Sequence, residues 1–297
     1  MKILIGPNSN SLGKKILSKL NLTSVNFSFK QFYDGETYLQ IDDSVEKEDI
    51  IIIQSTYPNQ EKSLLEIMLI ASTLKEMGAD RVIVIIPYLC YARADKRKLK
   101  GEVLSHHLTL SYLQSSGVDS ILTINVHNKE LYLSHDPELE KLNLNVMAYM
   151  VKEFFKHRTK AKWVLVGPDK GSEEDILQIA TELSLSHFIL TKTRDPITHE
   201  ITTEKPNYDF QNKDVLIIDD IISSGTTAKV ACNFILECGA NSVAIMFVHV
   251  LSRTDVIENL TESGKTTIYS SNTISRDDIE QIDISPILSK FIEDKFL

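Results

Sequence analysis

Short unbroken runs of Val, Ile and Leu punctuate this chain, each followed by a stretch whose apolar residues recur at helical spacing. Residues 82–86, 215–218 and 243–248 are such runs, and a run without polar alternation predicts a strand buried on both faces. Between them, residues 63–77 carry Leu64, Met68, Ala71 and Leu74 on one stripe and stop at Gly78. Residues 228–238 carry Ala231, Phe234 and Ile235 likewise and stop at Gly239. An apolar stripe ended by glycine predicts a helix packed on a core. Strands alternating with helices predict an α/β chain with a mostly parallel sheet flanked by helices on both faces.

The pattern occurs twice. Ile3-Leu4-Ile5-Gly6-Pro7 returns as Val164-Leu165-Val166-Gly167-Pro168, and Gly78-Ala79-Asp80 returns as Gly239-Ala240-Asn241 at the same spacing. Asp49 and the four isoleucines after it are answered by Asp214-Val215-Leu216-Ile217-Ile218 at a slightly larger spacing. A repeat held at distant places predicts two tandem copies of one domain, and 297 residues leave room for two full cores. The break at Asp136-Pro137 puts the division near residue 141, giving domains 1–141 and 142–297.

Composition narrows the function classes. The formal net charge is −9, which argues against a broad electropositive surface for nucleic acid or anionic lipid. Cys90, Cys232 and Cys238 form no CxxC pair, so neither a disulfide framework nor a zinc site is expected and a reducing cytoplasm fits. The apolar start breaks at Gly6-Pro7, too short for a signal peptide. No apolar stretch approaches the roughly 20 residues of a membrane helix.

The most informative segment is 215–227. A buried-type strand ends in Asp219 and Asp220, and Ser223, Ser224, Gly225, Thr226 and Thr227 then open a helix. Ligands of open α/β sheets bind beyond the carboxyl ends of strands, where helix N-terminal amides and hydroxyls can wrap a phosphate. Paired carboxylates accept hydrogen bonds from vicinal hydroxyls. A ribose 5-phosphate satisfies both halves of that loop. At the corresponding place the first copy reads Gln54-Ser55-Thr56-Tyr57-Pro58, without the acids or the Gly-Thr turn, so one sugar-phosphate site per chain is expected. The glycines and lysines of residues 6–15 do not have Walker A spacing.

Segment 215–227 resembles the phosphoribosyl diphosphate loop of type I phosphoribosyltransferases. Residues 87–102, which include Tyr91-Ala92-Arg93-Ala94-Asp95 and Gly101-Glu102, are similar to a signature of the ribose-phosphate pyrophosphokinases. Together with the duplication, this likeness spans nearly the whole chain. It implies two tandem type I phosphoribosyltransferase-like domains and transfer of the β,γ-diphosphate of ATP to the 1-hydroxyl of ribose 5-phosphate. By the same resemblance, Phe32, Asp34, Gly35 and Glu36 reach ATP bound in a neighbouring subunit, so at least a homodimer is implied. Arg93, Ala94 and Asp95 belong to the ATP loop, His127 and Asp169 are metal-ligand positions for Mg²⁺, and Lys192 and Arg194 are catalytic, Arg194 also meeting the sugar phosphate.

Three positions depart from the family pattern: Ala94 stands where Gln is common, Asn125 where Asp precedes the metal His, and Ser223 where Asp often opens the loop. A phosphoribosyltransferase, or a non-catalytic regulatory relative, is the alternative. The first leaves the duplicated half and residues 91–95 unexplained, and the second leaves unexplained the retention of Lys192, Arg194, His127 and Asp169.

Overall fold

The structure, a computed structural model, describes residues 1–134, 136, 138–190, 192–194, 201–203 and 208–297, with 192–194 and 201–203 described by their backbone alone. The chain forms two compact units, Met1–Asn145 with Thr273–Ser275 and Ser285–Leu297, and Val146–Asn272 with Arg276–Ile284.

In the first unit the strands are β1 (Lys2–Ile5), β2 (Thr23–Ser24), β3 (Phe27–Gln31), β4 (Thr37–Ile41), β5 (Asp49–Ile53), β6 (Arg81–Ile86), β7 (Ser120–Ile124) and β8 (Glu140–Leu144). The helices are α1 (Asn10–Leu20), α2 (Gln60–Glu76), α3 (Ser105–Ser115) and α4 (Lys129–Ser134). A parallel sheet runs in the order β2-β1-β5-β6-β7-β8. Ile50 to Ile53 and Val82 to Ile86 have no exposed surface, because helices cover both faces of the central strands, as an unbroken aliphatic run requires. Each such side chain removed from water contributes about 1.5–3 kcal/mol. The antiparallel hairpin β3–β4 stands outside this sheet, and the apolar runs did not announce it.

The second unit repeats the plan. Its strands are β9 (Trp163–Gly167), β10 (Ser186–Ile189), β11 (Lys192–Arg194), β12 (Ile201–Thr203), β13 (Asp214–Ile222), β14 (Ser242–Val250), β15 (Thr266–Ser271) and β16 (Glu280–Ile282). Its helices are α5 (Met147–Phe155), α6 (Glu173–Leu183), α7 (Thr226–Glu237) and α8 (Thr254–Thr261). The parallel order β10-β9-β13-β14-β15-β16 matches the first unit strand for strand, and β11 pairs antiparallel with β12. Phe210, Ile217, Ile235, Ile245 and Phe247 centre its core.

Two expectations about limits change. Residue 141 lies inside β8, which pairs with β7, so the first unit runs on to Asn145. The last helix, α9 (Ser285–Phe296), returns to the first unit and packs against α1. Tandem repeats need not exchange in one clean step when a terminal helix returns to pack against the first helix of the earlier copy.

Both sheets have a switch point. From β9 the chain steps to β10 on one side and later to β13 on the other, leaving a crevice at the carboxyl ends of β9 and β13, where open α/β sheets bind ligands.

Candidate active site

The second unit brings three groups of expected site residues to that crevice. Asp169 follows β9, caps the next turn by accepting from Gly171 N at 3.0 Å, and is exposed. Asp219 and Asp220 lie within β13, not at its end: pairing with β9 stops at Ile217↔Val166, whereas pairing with β14 continues to Ile222↔Val250. Beyond Ile217, β13 therefore carries its two acids along the crevice on a strand braced from the β14 side. Burial first, then the neighbouring charge of Asp220 and its hydrogen bond, then the charge of Asp169, push the Asp219 carboxyl up to about 8. The negative charge that Asp220 and Asp169 bring to Asp219 is there for a cation or for sugar hydroxyls to relieve.

Ser223 and Ser224 then lead into α7, with Ser224 Oγ 3.3 Å from Thr226 Oγ1. Gly225 caps the helix at φ 74° and ψ −7°, a left-handed conformation that glycine adopts without cost. A Cβ there would sit 2.5 Å from Val256 Cγ1 of α8, so α8 backs the loop tightly. Ser223, Ser224 and Thr226 are exposed while Gly225 is buried. The result is a hydroxyl-lined turn at a helix N-terminus, beside two carboxylates, which suits a phosphorylated polyol.

The first unit has closed the corresponding place. Gln54 is wholly buried; its Oε1 accepts from Asn8 N at 3.1 Å and its Nε2 donates to Glu66 Oε2 at 3.0 Å. A Cβ on Gly6 would meet Gln54 Oε1 at 2.1 Å. Ser55 Oγ donates to Thr273 O at 3.1 Å, so the returning segment seals the loop. Burial raises the Glu66 carboxyl above its ordinary range, against the lowering effect of Lys62 and Gln54.

The first unit instead carries the basic loop after β6. Thr56 Oγ1 accepts from Cys90 N at 2.7 Å and donates to Tyr88 O at 2.6 Å, fastening the loop's start. Tyr91 is left-handed at φ 60°, and its hydroxyl donates to Glu61 Oε1. That bond raises the phenol to about 12 and holds the Glu61 carboxyl low. Arg93 is exposed, Ala94 and Asp95 are half-buried, and Asp95 Oδ2 accepts from Asn128 Nδ2 at 2.9 Å. Burial raises the Cys90 thiol to about 12, which removes it as a nucleophile. His127, exposed, precedes Asn128 on the loop after β7, a strand adjacent to β6.

Phe32, Asp34, Gly35 and Glu36 form the turn of the β3–β4 hairpin. Phe32 N donates to Glu36 O at 2.7 Å, Gly35 N to Phe32 O at 3.0 Å, and Glu36 N to Asp34 Oδ1 at 3.1 Å. Phe32 keeps 45% of its surface exposed and Tyr33 all of it, an arrangement suited to contacts outside the hairpin. Lys192 and Arg194 lie on β11, and their side chains fall outside the described residues.

Thr56, Glu61 and Asn128 were missed by sequence reasoning. Glu61 and Thr56 act on partners some thirty positions away, and no local pattern reveals them. Asn128 before a helix carried a readable capping signal. Among the described residues, no cluster of three or more His, Cys, Asp or Glu is arranged to hold a metal, and no helix is long and apolar enough to cross a membrane.

Residues 1–117 match the N-terminal domain of ribose phosphate pyrophosphokinase, and residues 138–277 match the phosphoribosyl transferase domain. A ribose-phosphate pyrophosphokinase of Saccharolobus solfataricus is 32% identical over 96% of this chain and 98% of its own. One of Methanobrevibacter smithii is 32% identical over 93% and 94%. Phosphoribosylpyrophosphate synthetase from Mycobacterium smegmatis, a crystal structure, superposes with a TM-score of 0.89 over 99% of this chain and 98% of that one. It is 23% identical, so the likeness concerns the fold.

Proposed function

Because the chain belongs to the ribose-phosphate pyrophosphokinase family, we propose that the carboxylate and hydroxyl loop of the second unit holds ribose 5-phosphate while residues of the first unit hold ATP. The enzyme is a ribose-phosphate diphosphokinase: it transfers the β,γ-diphosphate of ATP to the 1-hydroxyl of ribose 5-phosphate, giving 5-phosphoribosyl 1-diphosphate and AMP. The electrophile is the β-phosphorus, and in-line positioning with charge neutralisation does most of the work in such transfers.

In this reading Asp219 and Asp220 accept hydrogen bonds from the ribose hydroxyls. Ser223, Ser224, Gly225, Thr226 and Thr227 enclose the 5-phosphate. Phe32, Asp34, Gly35 and Glu36 take the nucleotide of a second copy, which implies at least a homodimer, and Arg93, Ala94 and Asp95 take the same ligand from the basic loop. Lys192 and Arg194 neutralise charge developing on the transferred phosphate oxygens, and Arg194 also meets the sugar phosphate.

His127 and Asp169 are the positions that would hold Mg²⁺. The carboxylates around Asp219 are hard oxygen donors of the kind such a divalent cation prefers. Such an ion supplies charge neutralisation on the diphosphate. The free thiols of Cys90, Cys232 and Cys238 fit a cytoplasmic setting.

The observation that carries the reading is the left-handed Gly225 cap beside the paired acids at the β9/β13 switch point. The test is AMP formation from ATP by the purified chain. AMP should form only with both ribose 5-phosphate and Mg²⁺ present, in equal amount to 5-phosphoribosyl 1-diphosphate. AMP release independent of ribose 5-phosphate would refute it.

A further inference from the structure

Asn128 sits between two functional loops and is bonded in both directions. Its Nδ2 donates to Asp95 Oδ2 at 2.9 Å, and its Oδ1 accepts from Leu131 N at 3.1 Å. The amide orientation follows from its partners, since an ionised carboxylate only accepts and a backbone N–H only donates. One end of the side chain caps α4; the other holds the basic loop.

That grip falls where the loop is otherwise lightly held. Upstream, the bonds of Cys90 to Thr56 and of Tyr91 to Glu61 fix its start. Downstream, Lys96 to Lys100 are exposed, and the Glu102 carboxylate accepts from Leu99 N within the loop itself at 3.0 Å. Across Arg93 to Asp95, the hydrogen bonds to the rest of the unit among the described residues are His106 N donating to Ala94 O at 3.3 Å and the Asn128 bond. The Asn128 bond has a charged acceptor and is the shorter, so it is the stronger. Because β6 and β7 are neighbours in the sheet, paired at Ile86↔Thr123, this one amide links the loop bearing Arg93 to the residue directly after His127.

Resting on the ATP and metal assignments above, we infer that Asn128 is a positioning residue that holds Asp95, and with it Arg93 and Ala94, in register with His127. ATP and the divalent cation are thereby coupled: whatever loosens the amide weakens both, and each ligand favours the other by the same factor.

The test separates the cap from the tether. Asn128→Asp keeps a capping oxygen of equal quality but replaces the donor facing Asp95 with a like charge. In the full-length enzyme, KM for ATP should rise about tenfold, the worth of one hydrogen bond to a charged group. The Mg²⁺ concentration for half-maximal rate should rise with it. KM for ribose 5-phosphate should stay at its wild-type value, and the thermal midpoint should fall by no more than the few degrees that one lost hydrogen bond accounts for. The double variant Asp95→Asn/Asn128→Asp restores a donor–acceptor pair, so it should bind ATP better than Asn128→Asp alone, a non-additive cycle.

Arg93→Ala serves as the control. If Arg93→Ala weakens ATP while Asn128→Asp leaves KM for ATP unchanged, the inference is overturned and the ATP reading stands. If Arg93→Ala has no effect on ATP either, both fall. A loss in Asn128→Asp that strikes both substrates and the thermal midpoint equally, with an additive cycle, would show Asn128 to be a structural cap and overturn the positioning role.

Discussion

Replacing Gly225 by alanine adds one methyl group at the point where the sugar-phosphate loop turns into α7. Two costs follow from the structure. A residue with a Cβ held at φ 74° pays about 1–2 kcal/mol for the left-handed conformation. The Cβ would also sit 2.5 Å from Val256 Cγ1, with Leu260 Cδ1 at 3.6 Å, and overpacking of this kind costs about 1–3 kcal/mol. Together they come to about 2–5 kcal/mol, and the strain must appear in one of two places. If the loop keeps its shape, the folded state loses that amount and the denaturation midpoint falls. If the loop opens to relieve it, folding is spared but ribose 5-phosphate affinity drops, by at least about thirtyfold for 2 kcal/mol. Equilibrium urea denaturation and calorimetric titration with ribose 5-phosphate, performed on the same preparation, should show a summed loss of about 2 kcal/mol or more. Gly225→Ala/Val256→Ala should recover the steric share and leave the backbone share. Unchanged stability together with unchanged affinity in Gly225→Ala would refute both the cap geometry and the role of α8 behind it.

Other outcomes are equally open to measurement. With the Asp219 carboxyl raised to about 8 from an unfolded value of about 3.9, the ligand-free folded state binds the extra proton between those limits. Its stability should therefore fall as pH rises across that window. Asp219→Asn should flatten the slope of the denaturation midpoint against pH, and an equal slope in wild type and variant would contradict the assignment. Lys192→Ala should cut kcat by about 10²-fold or more, as loss of a transition-state charge contact does, while ribose 5-phosphate binding by calorimetry stays at wild type; near-normal turnover would remove Lys192 from its role. Phe32→Ala should raise KM for ATP with kcat and KM for ribose 5-phosphate preserved. Because that hairpin is assigned to a second copy, activity should track the oligomer on dilution, and a fully active monomer by light scattering would oppose this.

The duplicated plan was legible because its signals are local and repeated. Aliphatic runs became β5, β6, β13 and β14, and Gly78 and Gly239 marked the ends of helices in both copies. The sugar-phosphate loop was legible for the same reason: paired acids followed by small hydroxyl residues form a contiguous word. What stayed hidden depends on partners far away in sequence. The unbroken aliphatic runs could not announce the β3–β4 hairpin, because Phe27, Phe29, Leu39 and Ile41 alternate there with polar residues. The division near residue 141 cuts through β8, whose Glu140 and Lys141 interrupt its apolar content, although pairing with β7 decides the matter. The return of α9 to α1 is a contact across nearly the whole chain, and Gln54 filling the first unit's crevice could be seen only as a missing loop, not as a plug.

The account rests on where ribose 5-phosphate settles. Crystals of the enzyme soaked with ribose 5-phosphate offer the most direct measurement. The phosphate should lie against residues 223–227, with the ribose hydroxyls within hydrogen-bond distance of Asp219 and Asp220. Density for the sugar phosphate elsewhere, with that loop bare at saturating ligand, would contradict it.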